Sequence, residues 1–417
     1  MRSINAANTK KVFSFIIIPA FFCMIASFSA LAQSDISMTG NVDITGNLSV
    51  SGSGNGVVFP DASKQTSAGQ RKYISTVVVS PAATETDSGT ALRDAIDGII
   101  DASEDTPYLV KIEPGIYDIG TSALQMKPHV DVEGSGETVT KILGTVTGNT
   151  TGVVVSATDM ELRSLTIEND SQGEYAIAIY NASGSPKLTY VTAFIKTAMV
   201  VISGDKMILN APPPGTTYRY GIYNNTVSAN LRNVTVNIGG KDYAYGIYNL
   251  NCGNSLNMNI VSINVSFSSY CYGIYNNNSS PRISGASSSA GPGNYCYGIY
   301  NVNSSAPSIF NVISEAGNCS YAYGVYNSSS GPTLTNIIAR AHTGSSASYG
   351  MYNSGSANTI KADRSSFSGA TNSINNDPDF TLYIGASKVD GPVDADGTWH
   401  CTQSYDGNYT AVAANCQ

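Results

Sequence analysis

One seven-residue phrase, Y-x-Y-G-I-Y-N, is written again and again between Tyr175 and Asn353. It reads YAIAIYN from Tyr175, YRYGIYN from Tyr218, YAYGIYN from Tyr243, YCYGIYN from Tyr270 and Tyr295, YAYGVYN from Tyr321 and ASYGMYN from Ala347. The glycine slot falls at Ala178 and then at Gly221, Gly246, Gly273, Gly298, Gly324 and Gly350, so that after one long first step the spacings are 25, 27, 25, 26 and 26 residues. A period of that size restricts the chain to a stack of similar units, each burying its apolar face against its neighbours.

The residues inside one period decide what is stacked. Each phrase is followed by an Asn/Ser/Pro/Gly turn and a second short apolar run, as in SPKLTYVTAFI from Ser185, SPRISG from Ser280, APSIFNVIS from Ala306 and GPTLTNIIA from Gly331. Short runs rich in β-branched and aromatic residues, bounded by turn formers, are strands. Strands stacked coil on coil in register make an all-β fold, a right-handed parallel β-helix.

Alternation along a strand assigns faces. It sends Ile179, Ile222, Ile247, Ile274, Ile299, Val325 and Met351 inward. It sends the glycine column outward together with Tyr180, Tyr223, Tyr248, Tyr275, Tyr300, Tyr326 and Tyr352. Arg219 shares that outward face, where a charge is least costly. Asn181, Asn224, Asn249, Asn276, Asn301, Asn327 and Asn353 close the phrases and are expected to form a ladder of amides at the strand ends. Of the 26 tyrosines, 19 fall in three columns of the repeat, which makes tyrosine the residue around which function is sought. The column Tyr220, Tyr245, Tyr272, Tyr297, Tyr323 and Tyr349 is expected inside, as stacked core or turn residues. The outward column beside a row of glycines would wall a shallow trough suited to stacking on sugar rings. That column is the candidate ligand-binding site, with a self-stacked aromatic ladder as the structural alternative.

Upstream of the repeat, residues 1–32 carry Lys10 and Lys11, an apolar run and Ala30-Leu31-Ala32, the pattern of a secretory signal peptide. Without them 19 of the 22 Lys and Arg, all 30 Asp and Glu and six of the seven cysteines remain, a balance of −11. Such a chain offers no basic stripe to nucleic acid and no polybasic patch to a membrane. No second apolar stretch is long enough to span a bilayer after cleavage. Residues 33–72 read as a surface segment: TGNVDI, TGNLSV and SGSGNG between Thr39 and Gly56 echo at six residues and are too short to bury a core alone. They would need the main body or another chain, which makes residues 33–56 the candidate contact for a homo-oligomer. The phrase VVFPDASKQTSAG from Val57 resembles a short segment found ahead of the main domain in bacterial surface and phage-tail-like proteins.

From Tyr73 to Gly144 a strand, KYISTVVVS, leads through Gly89-Thr90 to ALRDAIDGII, with Leu92, Ala95, Ile96, Ile99 and Ile100 on one helical face. YLVKIEPGIYDIG and VDVEGSGETVTKILG follow. This order resembles the opening of the pectin lyase-like superfamily, and most closely of pectinesterases. The resemblance implies a helix that caps the first coil, a β-helix over residues 73–376, and an acidic polysaccharide as partner. The pectinesterase QDTL stretch, which carries the family's catalytic aspartate, has no counterpart after Ser203-Gly204-Asp205-Lys206. Residues 377–417 read as a C-terminal cap, with Cys401 and Cys416 joined across a hairpin around Asp406-Gly407-Asn408.

Other catalytic layouts are equally unmarked. Between Ser171 and Ile360 the acids are Glu174, Asp205, Asp242 and Glu315, in unlike positions of their coils, and His129, His342 and His400 lie far apart. Neither a metal site nor a cofactor is implied. Three functions stay open: a secreted or cell-surface protein that binds a glycan without catalysis, a carbohydrate-active enzyme acting on an acidic polysaccharide, and a stalk or fibre element. Cys271 and Cys296 occupy one slot in consecutive coils, about 4.8 Å apart in register. That is inside the window of roughly 4.4–6.8 Å for a disulfide. The two are expected to pair on the outward face, with Cys252 and Cys319 as competing partners.

Overall fold

Every period of the repeat contributes one strand ending in the tyrosine phrase and one long strand that bends, and both find the next coil in parallel register. Tyr243–Leu250 pairs with Ser268–Asn277, placing Tyr243 beside Tyr270, Ala244 beside Cys271 and Ile247 beside Ile274. Asn230–Gly239 pairs with Asn257–Ser266 in the same way. In this computed structural model the described residues are 57–58, 64–65, 73–196, 200–203, 206–209, 217–394, 396–414 and 416. The signal-peptide segment and the hexapeptide echoes lie outside them. The chain divides into two units, Met1–Gln70 and Arg71–Gln417. In the first, Val57–Val58 pairs antiparallel with Lys64–Gln65. The second is a right-handed parallel β-helix of about 10 turns. Among the described residues no helix is long and apolar enough to cross a membrane.

The long strands turn a corner part-way. Asn233, Ile260, Asn311 and Asn336 sit at φ of 50°, 54°, 54° and 52°, and Gly285 at 59°. This is the left-handed region that Gly and Asn tolerate and a β-branched residue resists. The elbow splits each long strand into a first sheet (230–232 and its equivalents) and a second sheet (234–239 and its equivalents). The seven tyrosine phrases belong to a third sheet of 11 strands. Leu231, Met258, Ile283, Ile309 and Leu334 fill the core from the first sheet, and Val236, Ile263 and Ala339 from the second. Ile179, Ile222, Ile247, Ile274, Ile299, Val325 and Met351 are all fully buried, as alternation required. The long first step of the repeat holds an inserted hairpin, Val200–Ser203 against Lys206–Leu209.

The capping helix, α1 (Glu85–Asp97), begins earlier than its apolar face suggested. Thr84 is its N-cap and accepts a hydrogen bond from the Asp87 amide at 3.0 Å, which satisfies one of the free donors of the first turn. Leu92 and Ile96 are buried, and of the two isoleucines beyond the helix end at Gly98, Ile99 is buried whereas Ile100, expected on the same face, is 90 % exposed. Gly89 lies directly against the Asp118 carbonyl, leaving no room for a side chain.

At the other end, the break expected at residue 377 does not end the stack. Phe380–Gly385 pairs with Thr398–Thr402, and Lys388–Asp390 with Tyr405–Asp406. The tail then folds back, with the Cys401 amide donating to the Ala414 carbonyl at 2.7 Å and Val412 to Ser404 at 3.0 Å. A Cys401–Cys416 disulfide holds it there, with Cα atoms 5.4 Å apart.

The asparagine column is buried, and its amides bond one another. Nδ2 of Asn224 donates to Oδ1 of Asn249, Asn249 to Asn276, Asn276 to Asn301 and Asn301 to Asn327, all at 2.7–2.8 Å. The row runs from Asn181 to Asn376, one coil further than the phrases reveal. Replacing Asn276 by Ala would orphan both a buried donor on Asn249 and a buried acceptor on Asn301. It is expected to cost about 2–6 kcal/mol, taking about 1–3 kcal/mol for each unsatisfied group. Chemical denaturation of the variant measures this; a change under half a kcal/mol would mean the ladder adds nothing.

Candidate ligand-binding surface

The glycine slot breaks the alternation, and this moves whole columns of side chains. Register pairs Tyr220 with Tyr245 and then Ile222 with Ile247, leaving Gly221 and Gly246 out of the ladder. The glycine and the following apolar residue both face inward. A Cβ on Gly221 would meet Val236 and the Gly246 carbonyl, and one on Gly298 would meet Ser314 and the Gly324 carbonyl. The expected outward trough of glycines is therefore absent. Tyr245 and Tyr248, three residues apart, both face out, as do Tyr220 and Tyr223 and their equivalents in later coils.

The tyrosine sheet thus carries three outward columns; the column starting at Tyr220 is stacked as expected and Tyr245, Tyr272, Tyr297 and Tyr323 are buried, but among the neighbouring tyrosine rings on the outer side of the sheet and not in the main core. Along each column the rings stack face to face, except at the start of the third, where Tyr180, Tyr223 and Tyr248 meet edge to face. Tyr243 and Tyr270 have centroids 4.7 Å apart and planes within 5°, Tyr272 and Tyr297 are at 4.9 Å and 4°, and Tyr275 and Tyr300 are at 5.0 Å and 10°. Between columns they meet edge to face, as Tyr245 and Tyr248 do at 5.2 Å and 87°. Tyr223, Tyr248, Tyr275, Tyr300, Tyr326 and Tyr352 are half-buried members of this panel, but Tyr180 is buried. Its ring is edge-on to Tyr223 and its hydroxyl accepts from Asn225 at 3.3 Å. A glycine recurring in mid-strand was the signal for this arrangement, because it marks a bulge or a close approach of backbones.

A ring with both faces covered offers a ligand its edge and its hydroxyl. The panel is a lattice of phenols repeating once per coil. Burial raises the pKa of Tyr223 and Tyr300 to about 12, with neighbouring phenols adding to the effect, and pushes Tyr272 higher still. The outward columns contain no charged residue from Tyr218 to Tyr352.

Arg219 is not on this surface. It is 5 % exposed and its Nη1 donates to the Gly173 carbonyl at 2.9 Å. Burial lowers its pKa, opposed by the charge of Asp242. Near the start of its strand, an inward side chain reaches the carbonyls of the adjoining turn and is satisfied there. Cys271 and Cys296 occupy the same inward slot and are likewise buried. Their expected pairing is not formed: Cys296 is bonded to Cys319, with Cα atoms 6.1 Å apart, while Cys271 and Cys252 are free and buried. Parallel neighbours direct their side chains alongside one another, whereas Cys319 approaches from the corner of the next coil. Burial pushes the Cys271 thiol up to about 11.

Acidic groups concentrate in the first coils, where they are ion-paired. Arg163 contacts Glu133 at 2.6 Å and Glu161 at 3.4 Å, and Lys111 contacts Glu133 at 2.7 Å. Tyr73 donates to Asp131 at 2.7 Å and accepts from Arg163 at 2.8 Å. This network ties Tyr73, just ahead of the strand Ser75–Val79, to the coils that follow. Among the described residues no group of three His, Cys, Asp or Glu could hold a metal ion. His400 stacks on Tyr383 at 4.6 Å on the first sheet, far along the chain from His129 and His342.

No family model matches the chain, and no curated protein matches its sequence. Among solved structures it is similar to the A-module of the mannuronan C-5 epimerase AlgE6 of Azotobacter vinelandii, at 10 % identity over 77 % of this chain and 95 % of that one, with a TM-score of 0.46. The catalytic unit of a GH87 α-1,3-glucanase from Streptomyces thermodiastaticus gives 12 % identity over 84 % and 69 %, with a TM-score of 0.38. Pectin methylesterase PemA from Erwinia chrysanthemi gives 13 % over 83 % and 92 %, with a TM-score of 0.28. Such values carry nothing beyond general shape, and the architecture rests on the registers themselves. With parallel ladders in register coil after coil, an inward apolar column on each sheet and a helix packed on the first turn, the chain has the right-handed parallel β-helix fold.

Proposed function

We propose that the protein is an exported, non-catalytic β-helix that binds an extended neutral glycan along its tyrosine panel. The observation that carries this reading is the panel itself: an uncharged surface of phenols, continuous over seven coils, on a chain of net charge −8. Contiguous aromatic surface of this extent marks an interaction site, here presented by half-buried rings on either side of the buried Tyr245, Tyr272, Tyr297 and Tyr323. Its repeat, ~4.8 Å per coil, is close to the length of one sugar ring in an extended chain, so each coil can offer a hydroxyl and a ring edge to one sugar. Export agrees with the amino-terminal segment and with two disulfides, which persist in oxidising compartments. Residues 33–72 would then present the β-helix at a surface, with 33–56 as the contact between copies.

The rings' own packing favours a second reading, in which the panel only stiffens the sheet; each stacked pair is worth about 0.5–1.5 kcal/mol beyond its burial. Phenylalanine separates the two, because it keeps the stack and removes the hydroxyl. The variant carrying Tyr248→Phe, Tyr275→Phe and Tyr300→Phe is expected to melt within a few degrees of the parent and to lose at least tenfold in retention on cellulose or xylan columns. Unchanged retention would remove the panel as the contact, and no retention by the parent would leave the stiffening role. Release of reducing ends from the retained polymer would replace binding by catalysis.

A further inference from the structure

Tyr175, Tyr218, Tyr243, Tyr270, Tyr295 and Tyr321 stand one above another in consecutive coils, and all are half-buried. Ring centroids along this row are 4.7–5.1 Å apart, with planes within 13° of parallel. Register holds them there: Tyr243 lies opposite Tyr218 on one side and Tyr270 on the other, and Tyr295 opposite Tyr270 and Tyr321. The two other columns of the panel extend the ring contacts sideways, as where Tyr272 meets Tyr275 edge to face at 5.1 Å. Other side chains that oxidise easily are kept apart from it. Met351 and the free thiols of Cys252 and Cys271 are buried, with Cys271 on the core side of the sheet, and Trp399 belongs to a different sheet.

A phenol that loses one electron and one proton becomes a phenoxyl radical, whose unpaired electron is shared between the oxygen and the ring carbons ortho and para to it. In a row of like rings in contact the radical has no preferred site and passes from ring to ring, so two radicals formed anywhere on the row meet within it. On meeting they couple through their ortho carbons, which parallel rings bring alongside one another. A carbon–carbon bond forms, the proton on each of those carbons moves to the ring's oxygen, and both rings are aromatic again. The oxidant has then taken two electrons and two protons in all. Hydrogen peroxide consumed by a peroxidase balances this, leaving as two water molecules.

We propose that the tyrosine panel is a site of oxidative cross-linking, at which a one-electron oxidant of the peroxidase class joins phenols of consecutive coils by a carbon–carbon bond. The backbone needs no rearrangement, because register already sets partner Cα atoms ~4.8 Å apart and the rings have only to lean together at their outer ends. Each link staples two neighbouring coils, as the Cys296–Cys319 disulfide does between the strands Gly293–Val302 and Cys319–Ser328. Contacts between neighbours are what hold a solenoid together, so links repeated along the row close it against fraying, and unlike a disulfide they survive reductant. The inference uses the stacking of the panel and no contact with a sugar, so it stands or falls apart from glycan binding.

Treating the dilute, purified full chain with a plant peroxidase and limiting hydrogen peroxide tests this. The expected product fluoresces as dityrosine, stays a single chain on a reducing, denaturing gel and has lost two hydrogens per link by mass. Links between Tyr218 and Tyr243 and between Tyr270 and Tyr295 can be read directly, because Arg232, Lys241 and Arg282 put the partners on different tryptic peptides. Oxidation of the chain unfolded in urea is expected to give at least tenfold less of both. The variant Tyr243→Phe, Tyr295→Phe keeps the stack without the phenols; it is expected to melt within a few degrees of the parent and to lose both links. The inference is overturned if the folded parent gains no dityrosine, if its links run mainly between chains through Tyr190 or Tyr409, which are 51 % and 77 % exposed, or if the unfolded chain yields the two links as readily as the folded one.

Discussion

Replacing Ile274 by Asp is expected to unfold the centre of the β-helix at temperatures where the parent is intact. Ile274 has no exposed surface and stacks between Ile247 and Ile299 on the inside of the tyrosine sheet. A carboxylate there has neither water nor a cation, and an uncompensated buried charge costs about 3–5 kcal/mol. In a solenoid that cost falls on both neighbouring interfaces, since each coil is held only by the ones beside it. Tyr275→Ala, one residue on, removes stacked contacts with Tyr248 and Tyr300. It should cost less, about 1–3 kcal/mol at 0.5–1.5 kcal/mol for each of two pairs. Thermal melts followed by circular dichroism compare the two; equal stability would place Ile274 outside the core.

Gly246→Ala carries the second large effect, although it adds a single methyl group. That methyl would press on Ile263 and on the Gly273 carbonyl, 2.5 Å away. Overpacking typically costs about 1–3 kcal/mol, and the upper end applies because a strand carbonyl held in a ladder cannot move aside. Gly253→Ala is the control, since its new methyl would meet nothing closer than Ser255 at 4.0 Å. Urea midpoints of the two variants should differ clearly. Equal midpoints would mean the glycine column faces solvent after all.

These two residues also mark where sequence reasoning holds. Ile274 could be placed from the repeat alone, because a column that is apolar in every coil has only the inside to go to. Gly246 could not. The period-two rule assumes an unbroken pleat, and at the glycine two successive residues face inward. Every side chain before that point in the phrase is thereby displaced to the opposite face from the one counted: Tyr245 goes out, and Arg219, Cys271 and Cys296 go in. The Cys271–Cys296 expectation failed for the same reason, being built on an outward slot and on Cα spacing without side-chain direction.

The protein's surfaces divide along the same line. The tyrosine columns were visible as letters, but a list of rings does not say whether their faces are free, and here each ring is covered by the ring of the next coil. The exposed cations of the first sheet were invisible as a group, because net charge averages over all faces; only the elbows at Asn233, Gly285 and Arg364 put Arg232, Arg282 and Lys361 on one sheet. What the sequence determined by itself was the repeat, and with it the parallel coil, the inner apolar columns and the asparagine row, since a pattern restated in every coil has the same neighbours in every coil. What only the tertiary structure decided was which way the side chains point across a break in the pleat and which cysteine a corner brings within reach, because these depend on a local backbone irregularity that no single period spells out.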